Sequence, residues 1–259
     1  FDSPSTVQGW IRRCHDVLEN FELLLEEGEQ SDLKNERLIC LHKIIDRSEI
    51  QNVAFLRTKG VSLPEKNYLE NALDIENEVK VSFPPALPVK DQTWVLPNLI
   101  HEQDFIVYSL SLPLRAADLL WIENISIDQP SWLMVPCDDS IDWSDEKKAL
   151  EAQLPKRWTN RILKWNGTQV EMTKVLAPIK RLLDQPKKNI DVTKQRLLSR
   201  LHSSWQKDLE KLRREKFQVI QTKSQWIVAG VVFASPIPST DLLSVAVING
   251  LMIKEMSKL

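Results

Sequence analysis

Long apolar runs are missing from this chain. Its most apolar stretch, Trp226 to Ile253, is cut in two by Ser235-Pro236-Ile237-Pro238-Ser239-Thr240-Asp241. Each half spans about nine to twelve residues, short of the roughly 20 that a spanning helix needs. Two prolines and an aspartate exclude one straight helix through the middle, leaving a re-entrant hairpin or two buried helices. Cysteine is scarce as well: Cys14, Cys40 and Cys137 are odd in number and share no C-x-x-C spacing. That argues against a disulfide framework and for a reducing compartment. Only four histidines are present, and none groups with a serine and an aspartate as a catalytic triad would require. Charge of one sign is lacking too. With 34 basic and 36 acidic residues the net charge is −2, which gives no general attraction to nucleic acid. Glycine and tyrosine are rare, six and two, against nine tryptophans.

What is there fits a folded chain. A 42% hydrophobic fraction beside 27% charge supports a sizeable core, in one large domain or two ordinary ones. The tryptophans read either as core filler or as residues of interfaces and membrane surfaces, where one ring end is apolar and the other polar. Cys14-His15 and Cys40-x-His42 bring sulfur and imidazole close in sequence. Adjacent helical residues point about 100° apart, however, so Cys14 and His15 cannot readily share a metal, and none is expected. Phe1 is not a translation start, and no charged-then-apolar leader pattern is visible in the residues given. Ser257-Lys258-Leu259 matches a peroxisomal address, and Asn124-Ile125-Ser126 and Asn166-Gly167-Thr168 match glycosylation acceptors. None of the three is taken as a signal in this context.

Three regions follow. Residues 1–50 read as two antiparallel helices. The first carries Trp10, Cys14, Val17, Phe21 and Leu24 on one stripe and ends near Gly28. The second is capped by Ser31 or Asp32 and carries Leu38, Leu41, Ile44 and Ile45. Residues 51–185 alternate apolar strands with helical segments, the pattern of a mostly parallel α/β sheet. Strands are expected at Val53–Leu56, Lys80–Phe83, Thr93–Leu96, Asp104–Leu110, Trp132–Val135 and Arg161–Trp165, with helices at Leu114–Ile122 and Asp145–Gln153. Residues 186–259 begin with a long helix over Thr193–Lys223. Leu198, Leu201, Trp205, Leu209 and Leu212 line one face, and a charge-dense face opposes them. A basic cluster placed before an apolar segment suits either solvent or a lipid surface.

Val53 to Leu56, then Arg57-Thr58-Lys59-Gly60-Val61-Ser62-Leu63-Pro64, then a helical pattern from Asn67, has the layout of a phosphate-binding loop. That loop requires G-x-x-x-x-G-K-S/T between strand and helix. Here Arg57 and Ser62 stand at the glycine positions, Leu63 at the lysine and Pro64 at the hydroxyl residue. Side chains replace glycine where backbone must approach phosphate, the cation is lost, and Pro64 has neither a hydroxyl for magnesium nor an N–H for the anion. Lys59 and Gly60 remain in a loop that no longer has the residues to wrap a phosphate.

The order of segments resembles a small Ras-like or Era-like GTPase domain. On that resemblance Val95-Leu96-Pro97-Asn98-Leu99 looks like the magnesium loop D-T-P-G-L, with Val95 for Asp and Asn98 for Gly. Gln103 to Leu110 resembles the following A-D-L-V-L-F-V-V strand. Trp132-Leu133-Met134-Val135-Pro136-Cys137-Asp138-Asp139 resembles the strand leading to the guanine-reading N-K-x-D, with Pro136 and Cys137 for Asn and Lys and only Asp139 kept. Ala234 to Leu243, with Met252, Ile253 and Met256, resembles the helical domain of unknown function that follows the G domain in bacterial GTPases. The likeness is closest to cyanobacterial versions and rests on Pro236-x-Pro238-x-x-Asp241.

Together these resemblances imply a P-loop GTPase-like α/β fold, with an N-terminal helical hairpin and a C-terminal helical domain, that hydrolyses nothing and needs no cofactor or metal. They imply a scaffold or assembly factor that binds protein, either an active GTPase paralogue or a membrane complex such as a photosynthetic one. Its expected place is the cytoplasmic side of a plasma or thylakoid membrane, with no nucleic acid bound. The alternative is an atypical nucleotidase using Lys59 and Asp139.

Overall fold

A computed structural model of the chain describes residues 3–25, 27–73, 79–91, 93–138, 142–234 and 238–257. The three regions read from the sequence fall into two compact units. Residues 46–197 form a sheet unit, and residues 1–45 with 198–259 form a helical unit.

The sheet unit holds five parallel strands in the order β2-β1-β3-β4-β5. They are β1 (Gln51–Arg57), β2 (Val79–Ser82), β3 (Phe105–Ser109), β4 (Ser131–Pro136) and β5 (Ile162–Trp165). Strands covered on both faces need apolar residues at every position, and β3 is buried throughout. Alternation then sorts the side chains into two cores. Ala54, Leu56, Ile106, Tyr108, Leu133 and Val135 face one. Val53, Phe55, Phe105, Val107, Trp132 and Met134 face the other. The connecting helices are α3 (Lys66–Leu73), α4 (Asn98–His101), α5 (Ala116–Glu123), α6 (Trp143–Gln153), α7 (Gln169–Val175) and α8 (Ala177–Leu183). Asp142 caps α6 by accepting the Ser144 N–H at 2.9 Å, and Asp145 and Glu146 suit its positive end. The chain runs outward from β1 to β2 and then crosses back to β3. This makes the β1–β3 gap the reversal point, where open α/β sheets place ligands beyond the strand ends.

Three side-chain clusters pin the opposite, amino-terminal edge. Arg47 meets Asp104 through two bonds of 2.7 and 2.6 Å, and Asp104 also accepts the Asn52 N–H. The buried Arg196 guanidinium bonds the Gln103 carbonyl at 2.7 Å. Gln129 Nε2 donates to the carbonyls of Ile100 and Gln103.

In the helical unit, α1 (Val7–Leu24) and α2 (Glu27–Ile45) pack with residues 198–212 of α9 (Pro186–Ala234). Thr6 caps α1 by accepting the Gly9 N–H. The stripe Trp10, Cys14, Val17, Phe21 and Leu24 is buried as its spacing requires. It meets Leu198, Trp205 and Leu209 of α9, and the Cys14 thiol donates to the Leu198 carbonyl at 3.8 Å. The Arg37 guanidinium lies 3.9 Å from the centre of the Phe21 ring. The last helix is α10 (Pro238–Met256).

Two expectations are corrected. Thr93–Leu96 is not a strand: Trp94 has φ +50°, left-handed backbone, and its ring packs edge-on against Trp121 with centroids 5.1 Å apart. The first hairpin helix ends at Leu25, whose extended backbone (ψ 153°) breaks it, so Gly28, Ser31 and Asp32 lie inside α2 instead of at caps. The tryptophans divide clearly. Six are buried in the cores and two are half-buried, while Trp226 stands 75% exposed.

Candidate functional site

The segment after β1 keeps its place between strand and helix but has a shape of its own. β1 is prolonged by a parallel bridge from Thr58 to Leu87. In it the Leu87 N–H donates to the Arg57 carbonyl (2.8 Å) and the Lys59 N–H donates to the Leu87 carbonyl (2.9 Å). The chain then turns sharply. The Val61 N–H donates to the Thr58 carbonyl at 3.2 Å, a turn that needs the positive φ of Gly60 (+92°). Side chains hold the carbonyls of this turn. Arg57 Nη1 donates to Val61 (2.9 Å), Arg115 Nη1 to Lys59 (3.3 Å) and Ser109 Oγ to Ser62 (3.4 Å).

A phosphate cradle works the other way, with successive N–H groups converging on the anion. Here the Lys59 N–H is spent on backbone, and two guanidinium groups bond the loop's own oxygens. Leu63 packs against the core beneath β1, and Pro64 is buried ahead of α3. The Lys59 side chain is exposed.

Beneath the turn lies a buried polar cluster. Asp118, in the first turn of α5, is fully buried, and its Oδ1 accepts from Thr58 Oγ1 (2.9 Å) and from the Tyr108 hydroxyl (2.8 Å). Asp118 Oδ2 and Ser111 Oγ are buried and find no partner among the described residues. Burial, reinforced by the Asp118 charge, raises the Tyr108 hydroxyl far above its ordinary pKa, so it stays a donor. Sequence reasoning missed this cluster. The one available signal was an aspartate inside the apolar run Ala116-Ala117-Asp118-Leu119-Leu120-Trp121-Ile122.

The other motif positions are distributed unevenly. Pro136 ends β4 and Cys137 is buried beyond it, its N–H donating to the Trp165 carbonyl at 2.8 Å. Both therefore lie at the same strand-end edge as the loop after β1. Asp139 and Pro236 lie outside the described residues. Val95 is 67% exposed while Leu96 anchors the segment in the core. Asn98 opens α4, whose Ile100 carbonyl is held by Gln129 at the approach to β4. The structure thus sets Asn98 at the amino-terminal edge, apart from the turn of residues 58–64. Pro238 begins α10 and Asp241 lies in its first turn. Among the described residues no helix is long and apolar enough to cross a membrane, and no three His, Cys, Asp or Glu side chains are placed to hold a metal.

Comparison with known proteins adds two findings. Residues 196–259 match a family described as Domain of unknown function (DUF697), the helical module expected at that end. Among solved structures, that of a LAO/AO transport system kinase is similar over 95% of this chain and 98% of that one, at 10% identity and a TM-score of 0.34. Likeness of that degree carries no property of the kinase to this chain. No curated protein matches.

Proposed function

We propose that the chain is a GTPase-associated protein that performs no nucleotide chemistry and acts by binding other proteins at a membrane surface. The observation carrying this reading is the turn of residues 58–64. Its Lys59 amide is bonded to Leu87, and its Val61 and Lys59 carbonyls are bonded to Arg57 and Arg115. A nucleotide would have to break those contacts and would then find leucine and proline where its cation and hydroxyl partners belong. The partners are proteins, either an active GTPase of the same kind or a membrane complex. The helical DUF697 region, with Trp226 exposed, provides the membrane contact.

A phosphate-release assay with GTP and ATP in excess magnesium tests the first half of this reading. No release above a buffer blank is expected. Turnover that vanishes in Lys59→Ala would replace this reading with a nucleotidase using Lys59 and Asp139. Cross-linking in native membranes tests the second half, by whether a protein partner is captured with the full chain and lost when residues 226–259 are removed.

A further inference from the structure

The strand ends around the turn of residues 58–64 carry positive charge with no acid at the surface to match it. Three segments meet there: residues 57–64 at the end of β1, 83–88 after β2 and 109–116 at the end of β3. They contain Arg57, Lys59 and Arg115. Acids fill 36 of the chain's 259 positions, about one in seven, yet none falls in these segments. Asp118 lies beneath the turn but has no exposed surface, and its bonded oxygen is turned to Thr58 and Tyr108. None of the three cations forms an ion pair among the described residues. At the opposite edge, by contrast, Arg47 is met by both oxygens of Asp104.

The three charges surround one small feature. Strand alternation sends Arg57 to the face of the sheet that carries Val53 and Phe55, where Nη1 holds the Val61 carbonyl. Arg115 comes from the other face, at the start of α5, and holds the Lys59 carbonyl. The two guanidinium groups therefore straddle the turn. Lys59 is exposed at its apex, and a Cβ at Gly60 would meet only Arg115 Nη1, at 3.7 Å. The apex is open to a partner.

Guanidinium groups held on two flanks suit separate carboxylates better than the clustered oxygens of one phosphate. A nucleic acid would carry its charge onward along the edge to Asp142, Asp145 and Glu146, at the start of α6 beyond β4, and be repelled there. A short acidic stretch of protein ends before them. In an extended stretch every second side chain faces the same way, about 7 Å apart. That matches a four-residue turn, whose ends lie within about 7 Å of each other.

We propose that Arg57, Lys59 and Arg115 form a docking surface for an extended acidic segment of a partner protein, with carboxylates at alternate positions. This rests on the protein-binding reading above and supplies the chemistry of the partner.

The test is fluorescence anisotropy of the full chain with a fluorescein-labelled decapeptide of alternating glutamate and serine at low ionic strength. A lysine–serine decapeptide is the control. Saturable binding of the glutamate peptide alone is expected, and binding of both peptides or of neither would overturn the surface. Lys59→Gln removes a side chain that holds nothing in the fold and should cost about fivefold in affinity. Lys59→Gln/Arg115→Gln should cost about 25-fold. Lys187→Gln/Lys188→Gln removes as much charge at the opposite edge, beside Asn189 and Gln51, and should cost less than about twofold. Equal losses in the two double variants, or unchanged binding by Lys59→Gln, would overturn the site. Tighter binding of a labelled thymidine decanucleotide than of the peptide would overturn the choice of a protein segment. A surface that fails in these ways leaves the protein-binding reading to the cross-linking experiment, whereas displacement of the peptide by micromolar GTP would overturn that reading as well.

Discussion

Removing one hydroxyl beneath the turn of residues 58–64 should loosen the whole turn. Tyr108→Phe keeps the ring in its core and deletes only the donor 2.8 Å from Asp118. Asp118 is fully buried, and its second oxygen has no partner among the described residues, so the carboxylate would be left with Thr58 alone. A hydrogen bond to a charged group is worth about 1.5–3 kcal/mol, and burial leaves no water to replace it. The expected loss is therefore about 2 kcal/mol, read by urea unfolding. Asp118 of α5 reaches the turn through Thr58, beside the bond from Arg115 at the start of that helix to the Lys59 carbonyl. Amide exchange at residues 59–63 should accordingly quicken by about 30-fold, the same energy expressed as an equilibrium constant. Thr58→Val should act in the same direction, and the two effects should not add, because both donors share one oxygen. A Tyr108→Phe chain within about 0.5 kcal/mol of wild type, with unaltered exchange at the turn, would refute the claim that Asp118 holds the turn shut.

Three further outcomes follow. Leu198→Ala removes a side chain with no exposed surface from the meeting of α1, α2 and α9 and should cost about 2–5 kcal/mol by thermal or urea unfolding. A loss below about 1 kcal/mol would mean that these helices do not share a core. Burial pushes the Cys14 thiol from 9.0 up to about 11, so the folded chain keeps a proton that the unfolded chain gives up. Stability from this group is therefore full below about pH 9 and falls as pH rises toward 11, a decline that Cys14→Ala should abolish. In the same chain a thiol reagent near neutral pH should label exposed Cys40 quickly and spare buried Cys14 and Cys137 until unfolding.

Local pattern was legible where one period governs a whole element. The stripe from Trp10 to Leu24 and the strand centred on Phe105–Ser109 are buried as their spacing requires. The break between the apolar halves of the C-terminal region falls between α9 and α10, as proline demands. Failures came where tertiary contacts decide. Trp94-Val95-Leu96 has strand-forming residues, yet packing of the Trp94 ring on Trp121 pulls the backbone to positive φ and leaves no strand to pair. Gly28 looked like a helix end but lies within α2, where glycine costs only about 1 kcal/mol. The clamp on the turn was invisible because its donors lie 60 and 10 residues from Asp118. The pairing of the N-terminal hairpin with α9 was hidden in the same way, since it joins residues 184 apart.

The most direct test of a protein that binds without nucleotide chemistry is calorimetric titration of the full chain with GTP, GDP and ATP in the presence of magnesium. The turn bonded to Leu87, Arg57 and Arg115 predicts no saturable heat for any of the three. A saturable isotherm with a micromolar Kd for any of them would contradict the account, because a nucleotide would then be entering a loop whose Lys59 and Val61 N–H groups are already bonded to backbone carbonyls.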